Sequence, residues 1–488
     1  MLRERVRRLL LRFPDALAWV GLVSRERART TFELAAPSMV SAGIWTVLRI
    51  TDFLMVSLAL PDAAVAALEI SFQFYFVGFS LAIAVSSGTI SLVSRFKGAG
   101  EDGAADLAVK QSVWFAVLLS VPLTAVSWVF ADELMGLLTA DAAVVEFGAA
   151  YLQVVMLALV FRFLSMIGSR GLQGCGDTVT PMYVNLVIIP VNILLNAVLI
   201  FGLGPAPRLG ITGAALGTAV ANVIGAAVFA AIYLSGRFPL RFRLGGTQLD
   251  TGMAGEILRV GLPLAGRRLV ATLGRFPFLY LLGILGTPVV AAFAIGRQVV
   301  QLAMIPGWGY ATSASTLVGQ RLGEGAEGEA TAYGWETVTV ALVTQLLIGV
   351  VVAALAYPIA RLFGTASVDL TAAFIWVFVL GIAGTSVAQT LEGGLRGAGD
   401  TTWPLYGMAL GTVLRLVVAA LAVPGGLTLA AIGDLRFAPG FGLGVVAVFA
   451  AILVDMYSRA AVNAVRFRSH RWQAVARRSA ERQATSED

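Results

Sequence analysis

The sequence holds one cysteine, Cys175, and one histidine, His470, so a disulfide framework is excluded and a His/Cys metal centre lacks ligands. Charge is scarce as well. Only 13% of the 488 residues are Asp, Glu, Lys or Arg, whereas a soluble domain carries about a quarter. Lysine is nearly missing: all but Lys97 and Lys110 of the 35 basic residues are arginine. A fold with a wetted outer face cannot be built from so few polar groups, and this excludes a cytosolic enzyme. What the chain does have is apolar side chain, 58% of all residues, with a mean hydropathy of +0.83. That is the composition of an all-α integral membrane protein.

Twelve apolar runs long enough to span a bilayer lie at roughly 34–60, 70–94, 111–131, 142–168, 181–203, 210–234, 256–286, 290–319, 331–357, 368–391, 403–423 and 440–463. Charge tests that count independently. Arginine crowds the first 33 residues (Arg3, Arg5, Arg7, Arg8, Arg12, Arg25, Arg27, Arg29) and the tail (Arg466, Arg468, Arg471, Arg477, Arg478, Arg482). Basic residues recur in the 235–255 connection (Arg237, Arg241, Arg243), whereas Asp62, Asp132, Glu133, Asp141, Asp369 and Asp434 fall in the alternate loops. The positive-inside bias therefore places both termini in the cytoplasm and makes residues 1–33 a basic amphipathic arm rather than a cleaved signal. The charge runs serve topology and solubility, and no nucleic-acid partner is expected.

The chain also repeats itself. Residues 171–181, GLQGCGDTVTP, return as 394–404, GLRGAGDTTWP, with seven of eleven positions identical at an offset of 223. Pro37 answers Pro263, and Leu92-Val93 answers Leu317-Val318. The resulting organisation is an N-lobe of six spans (34–234), a cytoplasmic linker (235–255), a C-lobe of six spans (256–465) and a basic tail (466–488). Six being even, the halves enter the membrane from the same side. In each repeated segment the glycines (Gly174, Gly176; Gly397, Gly399) permit a sharp turn. Asp177 and Asp400 can cap the next helix, and Pro181 and Pro404 fit its first turn. No Gly-Lys-Ser/Thr follows, so a phosphate-cradling loop has little support.

Asp52, inside the first span, is the outstanding acid, because a carboxylate in hydrocarbon marks a pathway or relay by default. A fixed ion pair with Arg49, one turn earlier on the same face, is the plainer alternative. Asn192 and Asn196 stand at i, i+4 in the fifth span, and Thr218 lies in the sixth. Their hard oxygens suit a small cation beside Asp52, but interhelical hydrogen bonding explains the asparagines equally well and Thr218 better. Arg267, Arg268, Arg275 and Arg297 fall in spans seven and eight, and with Arg49 they are candidates for lining a substrate cavity. Arg162, in span four, is expected to snorkel to an interface. Pro190 and Pro306 predict bends, Asp455 and Arg459 a structural pair, and Glu146 and Glu392 positions near span ends.

Two six-span lobes that each carry a Gly-x-Gly-Asp-Thr-x-x-Pro turn resemble the multidrug and toxic compound extrusion (MATE) transporters. The resemblance runs from about Glu33 to Val465 and includes Thr51-Asp52 and Gly213-Ala214-Ala215 with Thr218. It implies a V-shaped pair of lobes that exports organic compounds against a proton or sodium gradient by alternating access. The archaeal and DinF-like branch has a cation site built from a first-span Asp, a fifth-span Asn and Asp, and a sixth-span Thr. This sequence matches at Asp52, Asn192 and Thr218, with Asn196 standing where the second acid belongs. The C-lobe acid of the NorM-like branch is missing, which favours the DinF-like side. The expectation is therefore a twelve-helix, MATE-like antiporter, not an enzyme, acting as a monomer in the plasma membrane. It needs no cofactor beyond a coupling H+ or Na+, and its partners are membrane lipid and a small organic substrate. A flippase for a lipid-linked or anionic substrate is the alternative that the arginines support.

Overall fold

The computed structural model describes residues 11–242, 245–365, 367–425, 430–432, 435–437 and 440–484. Arg3, Arg5, Arg7, Arg8, Arg243 and Asp434 lie outside the described residues. In chain order the helices are α1 (Arg12–Trp19), α2 (Arg25–Ala59), α3 (Asp62–Ala99), α4 (Asp102–Val129), α5 (Ala131–Gly136), α6 (Ala142–Leu157), α7 (Leu159–Gly174), α8 (Val179–Phe201), α9 (Gly210–Leu234) and α10 (Thr251–Leu273). There follow α11 (Arg275–Ile284), α12 (Thr287–Ala303), α13 (Ile305–Gly323), α14 (Glu327–Ala354), α15 (Ala356–Leu362), α16 (Val368–Leu380), α17 (Ile382–Gly397), α18 (Thr402–Ala420), α19 (Gly444–Arg468) and α20 (Arg471–Ala484). Between α18 and α19 a short antiparallel ribbon pairs β1 (Ala430–Ile432) with β2 (Leu435–Phe437), which hydropathy did not foreshadow.

Eight of these helices are long and apolar enough to cross a membrane by themselves, and three bent pairs bring the number to 11. The bent pairs are α6–α7 at 46°, α12–α13 at 47° and α16–α17 at 42°. The expected seventh span is α10 with α11. It fails the same test because Glu256, Arg259, Arg267 and Arg268 crowd α10. Proline does not locate all the bends: α12–α13 breaks just before Pro306, but Pro190 leaves α8 continuous.

The chain divides into two compact units. The first consists of Pro37–Ala265, Gly319–Ala326 and the described residues from Arg477 on; the second holds the described residues up to Ala36, Gly266–Val318 and Glu327–Ala476. In the first unit α3 lies at the centre, and its buried Ser86, Ser87, Ser91 and Ser94 are small enough for close helix contact. A Cβ on Gly88 would meet the Ile257 carbonyl at 2.7 Å, and one on Gly261 would meet that of Ala84 at 2.7 Å, so α3 and α10 approach backbone to backbone. The second unit is built on aromatic edges: Phe293 meets Phe278 at 5.4 Å and Phe374 at 6.0 Å, and Phe374 meets Phe449 at 4.9 Å. Leu58, Leu118, Val121, Val350 and Val351 are exposed, as lipid-facing side chains must be.

The repeated segments fold alike. Gly176 (φ +88°) sends its N–H to the Gln173 carbonyl and Asp177 sends its N–H to that of Leu172; Gly399 (φ +80°) and Asp400 do the same toward Arg396 and Leu395. Each closes a helix with the left-handed glycine that only this residue adopts cheaply.

Candidate functional site

α2 and α8 build the polar centre of the first unit. Asn192 and Asn196, one turn apart on α8, are 5% and 0% exposed. Asn196 Nδ2 donates to Asp52 Oδ1 at 2.8 Å and to Asn192 Oδ1 at 2.8 Å, so one amide ties the acid of α2 to the neighbouring turn of α8. The other end of that amide, Asn196 Oδ1, is buried without a hydrogen-bond partner. A buried orphan acceptor is costly, and here it adds an oxygen beside a carboxylate. Gly217 of α9 lies so close that any Cβ there would overlap Asn196 Oδ1. Tyr151 of α6, 5% exposed, lies near Asp52.

Arg49 is exposed and makes no ion pair with Asp52; among the described residues the carboxylate is held by Asn196 instead. Thr218 is half-buried and makes no hydrogen bond among the described residues, and α9 meets the site through the adjacent Gly217. Among the described residues no group of three or more His, Cys, Asp or Glu could hold a metal ion. A cation here would rest on one carboxylate and amide oxygens, a set suited to a proton or a weakly held alkali ion.

The span arginines separate into distinct environments. Arg267 pairs with Glu392 at 2.9 Å; Glu392, expected near a span end, is buried within α17. Arg268 is half-buried near the same two charges. Asp455 takes Arg459 at 2.6 Å, as the i, i+4 spacing predicted, and also Arg415 at 3.3 Å. Arg275 is exposed, and the buried Nε of Arg297 has no partner. Arg162, expected to snorkel, packs on aromatic rings. Its guanidinium lies 4.1 Å from the ring centre of Trp45 and 5.3 Å from that of Phe79, in the first turn after the α6–α7 break. Trp45 and Phe79 carried no signal in the sequence, since aromatic residues on an apolar helix read as core.

At the duplicated turns Asp177 accepts from the Thr180 N–H at 2.9 Å and caps α8. Asp400 departs from the capping expectation: its carboxylate is taken by Arg466 at 2.6 Å. Burial pushes the Asp400 carboxyl up from its ordinary range, against the opposing pull of Arg466.

The MatE family model matches the chain twice, over residues 37–198 and 263–421, and so follows the internal repeat. The chain is 27% identical over 416 residues to a probable multidrug resistance protein NorM of Thermotoga maritima, covering 84% of this chain and 86% of that one. It is 27% identical over 353 residues to an FAD transporter of Shewanella oneidensis, covering 71% and 76%. A crystal structure of MATE in the bent conformation superposes with a TM-score of 0.82 at 21% identity, covering 93% of this chain and 97% of that chain. The chain belongs to the MatE family and is a multi-pass membrane transporter, with twelve transmembrane helices in two six-helix lobes.

Proposed function

We propose that this protein is a secondary active antiporter that exports small organic compounds, of the kind handled by its multidrug-resistance relatives, by alternating access. Coupling is to H+ or Na+ in the N-lobe, at Asp52 with Asn192 and Asn196. One observation carries the reading: Asp52 accepts a neutral amide N–H instead of pairing with Arg49, so among the described residues no fixed cation cancels its charge. A carboxylate so placed must take up a proton or metal ion when water is withdrawn and can release it when water returns. By charge bias the protein sits in the plasma membrane with both termini cytoplasmic, acting as a monomer that meets lipid and substrate only.

Purified protein reconstituted into liposomes and loaded with a fluorescent aromatic compound tests this, with proton and sodium gradients imposed separately. One of the two gradients drives export above the ungraded control. If neither does, the alternative of a flippase for a lipid-linked or anionic substrate takes its place.

A further inference from the structure

Arg162 stands near the middle of the bent span formed by α6 and α7, where an unpaired arginine is costly. The other strongly engaged span arginines, Arg267, Arg415 and Arg459, offset that cost against Glu392 or Asp455. Arg162 has no acid. It makes no hydrogen bond or ion pair among the described residues, and its contacts are the faces of Trp45 and Phe79, with the Tyr75 ring stacked on Phe79 at 6.5 Å. Ring stacking occupies the flat faces of a guanidinium and leaves its edge free, with five N–H donors set as a fork. Arg162 is half-buried, and none of its three guanidinium nitrogens is both sealed from solvent and without a partner, so its edge keeps some access to solvent. The neighbouring rings are a platform for a further planar group. Trp45 and Asp52 lie seven residues apart on one face of α2, so the arginine clamp sits about 10 Å along that helix from the carboxylate.

We propose that Arg162, backed by Trp45 and Phe79, binds the carboxylate or phosphate of a planar aromatic substrate. This rests on the exporter reading and narrows its substrate to organic anions. A bidentate pair between the free guanidinium edge and the anion satisfies the donors that the protein leaves unmatched, and the aromatic part of the ligand lies against the indole.

Equilibrium dialysis with the purified full-length protein tests the site without any gradient, using 2-naphthoate, 1-naphthyl phosphate and ethidium as probes. Wild type binds at least one of the two anions, and whichever binds more tightly identifies the head group. Arg162→Gln weakens that binding on the order of tenfold or more, Arg162→Lys restores part of it, and ethidium does not compete. Trp45→Leu keeps the charge but loses the platform, so its affinity for the aromatic anion also falls; it decides the matter if the glutamine variant does not fold. Unchanged anion affinity in a folded variant of either position, or a wild type that takes up ethidium alone, overturns the proposal. Gradient-driven export can persist through that result, so failure of this site and failure of the antiporter reading are separable.

Discussion

At the scale of single residues, the site depends on how Asn196 divides its amide. Its N–H group bridges Asp52 and Asn192 at 2.8 Å each, while its Oδ1 presses against the bare backbone of Gly217. Gly217→Ala should therefore push that amide off Asp52, with an overpacking cost of about 1–3 kcal/mol. The expected outcome is a lower unfolding temperature together with impaired ion-driven export; a variant of normal stability and normal export would show that the contact is immaterial. The α8 pair was legible because i, i+4 spacing fixes a shared face. Whether Arg49 pairs with Asp52 was left open, because spacing brings two residues within reach but does not fix where a long side chain points. Gly217 was missed because the register between α8 and α9 is set by packing, which no single-chain pattern encodes.

At the scale of elements, the duplicated turn puts one motif to two uses. Asp177 caps the next helix, so Asp177→Ala should cost about 1 kcal/mol, as loss of a cap does. Asp400→Ala removes the partner of Arg466, whose side chain is 11% exposed, and should cost more, on the order of 3 kcal/mol. Thermal unfolding of the two variants side by side reads the difference; equal losses would mean that both aspartates serve as caps alone. The turns themselves were legible in glycine and proline. The bends were only partly so. Ala158 and Gly381 each separate a bent helix pair and stand 223 residues apart, the same offset as the repeated motif. No proline marks the first of these breaks. A membrane helix can bend wherever its neighbours satisfy the freed carbonyls, and Pro190 within unbroken α8 shows that a proline need not end a helix.

At the scale of the whole molecule, hydropathy and arginine placement gave the spans, and the internal repeat gave the two halves, because both are properties of the chain alone. The seventh span was the hard case: its charges lower the hydropathy of α10, and the ion pair between Arg267 and Glu392 offsets part of that burden only once α10 and α17 are folded. Membership of the two units was less legible, since two of the boundaries fall inside long helices, near Pro37 in α2 and near Pro263 in α10. Function follows from the same scale. A transporter that couples two flows must hold its exchangeable charge in one place and keep it free of a permanent counter-ion. The decisive measurement compares wild type with Asp52→Asn in the same liposomes, reading both gradient-driven export and gradient-free exchange of internal for external substrate. The account predicts that the variant loses gradient-driven export but retains exchange; export that still follows the gradient in the variant would contradict it.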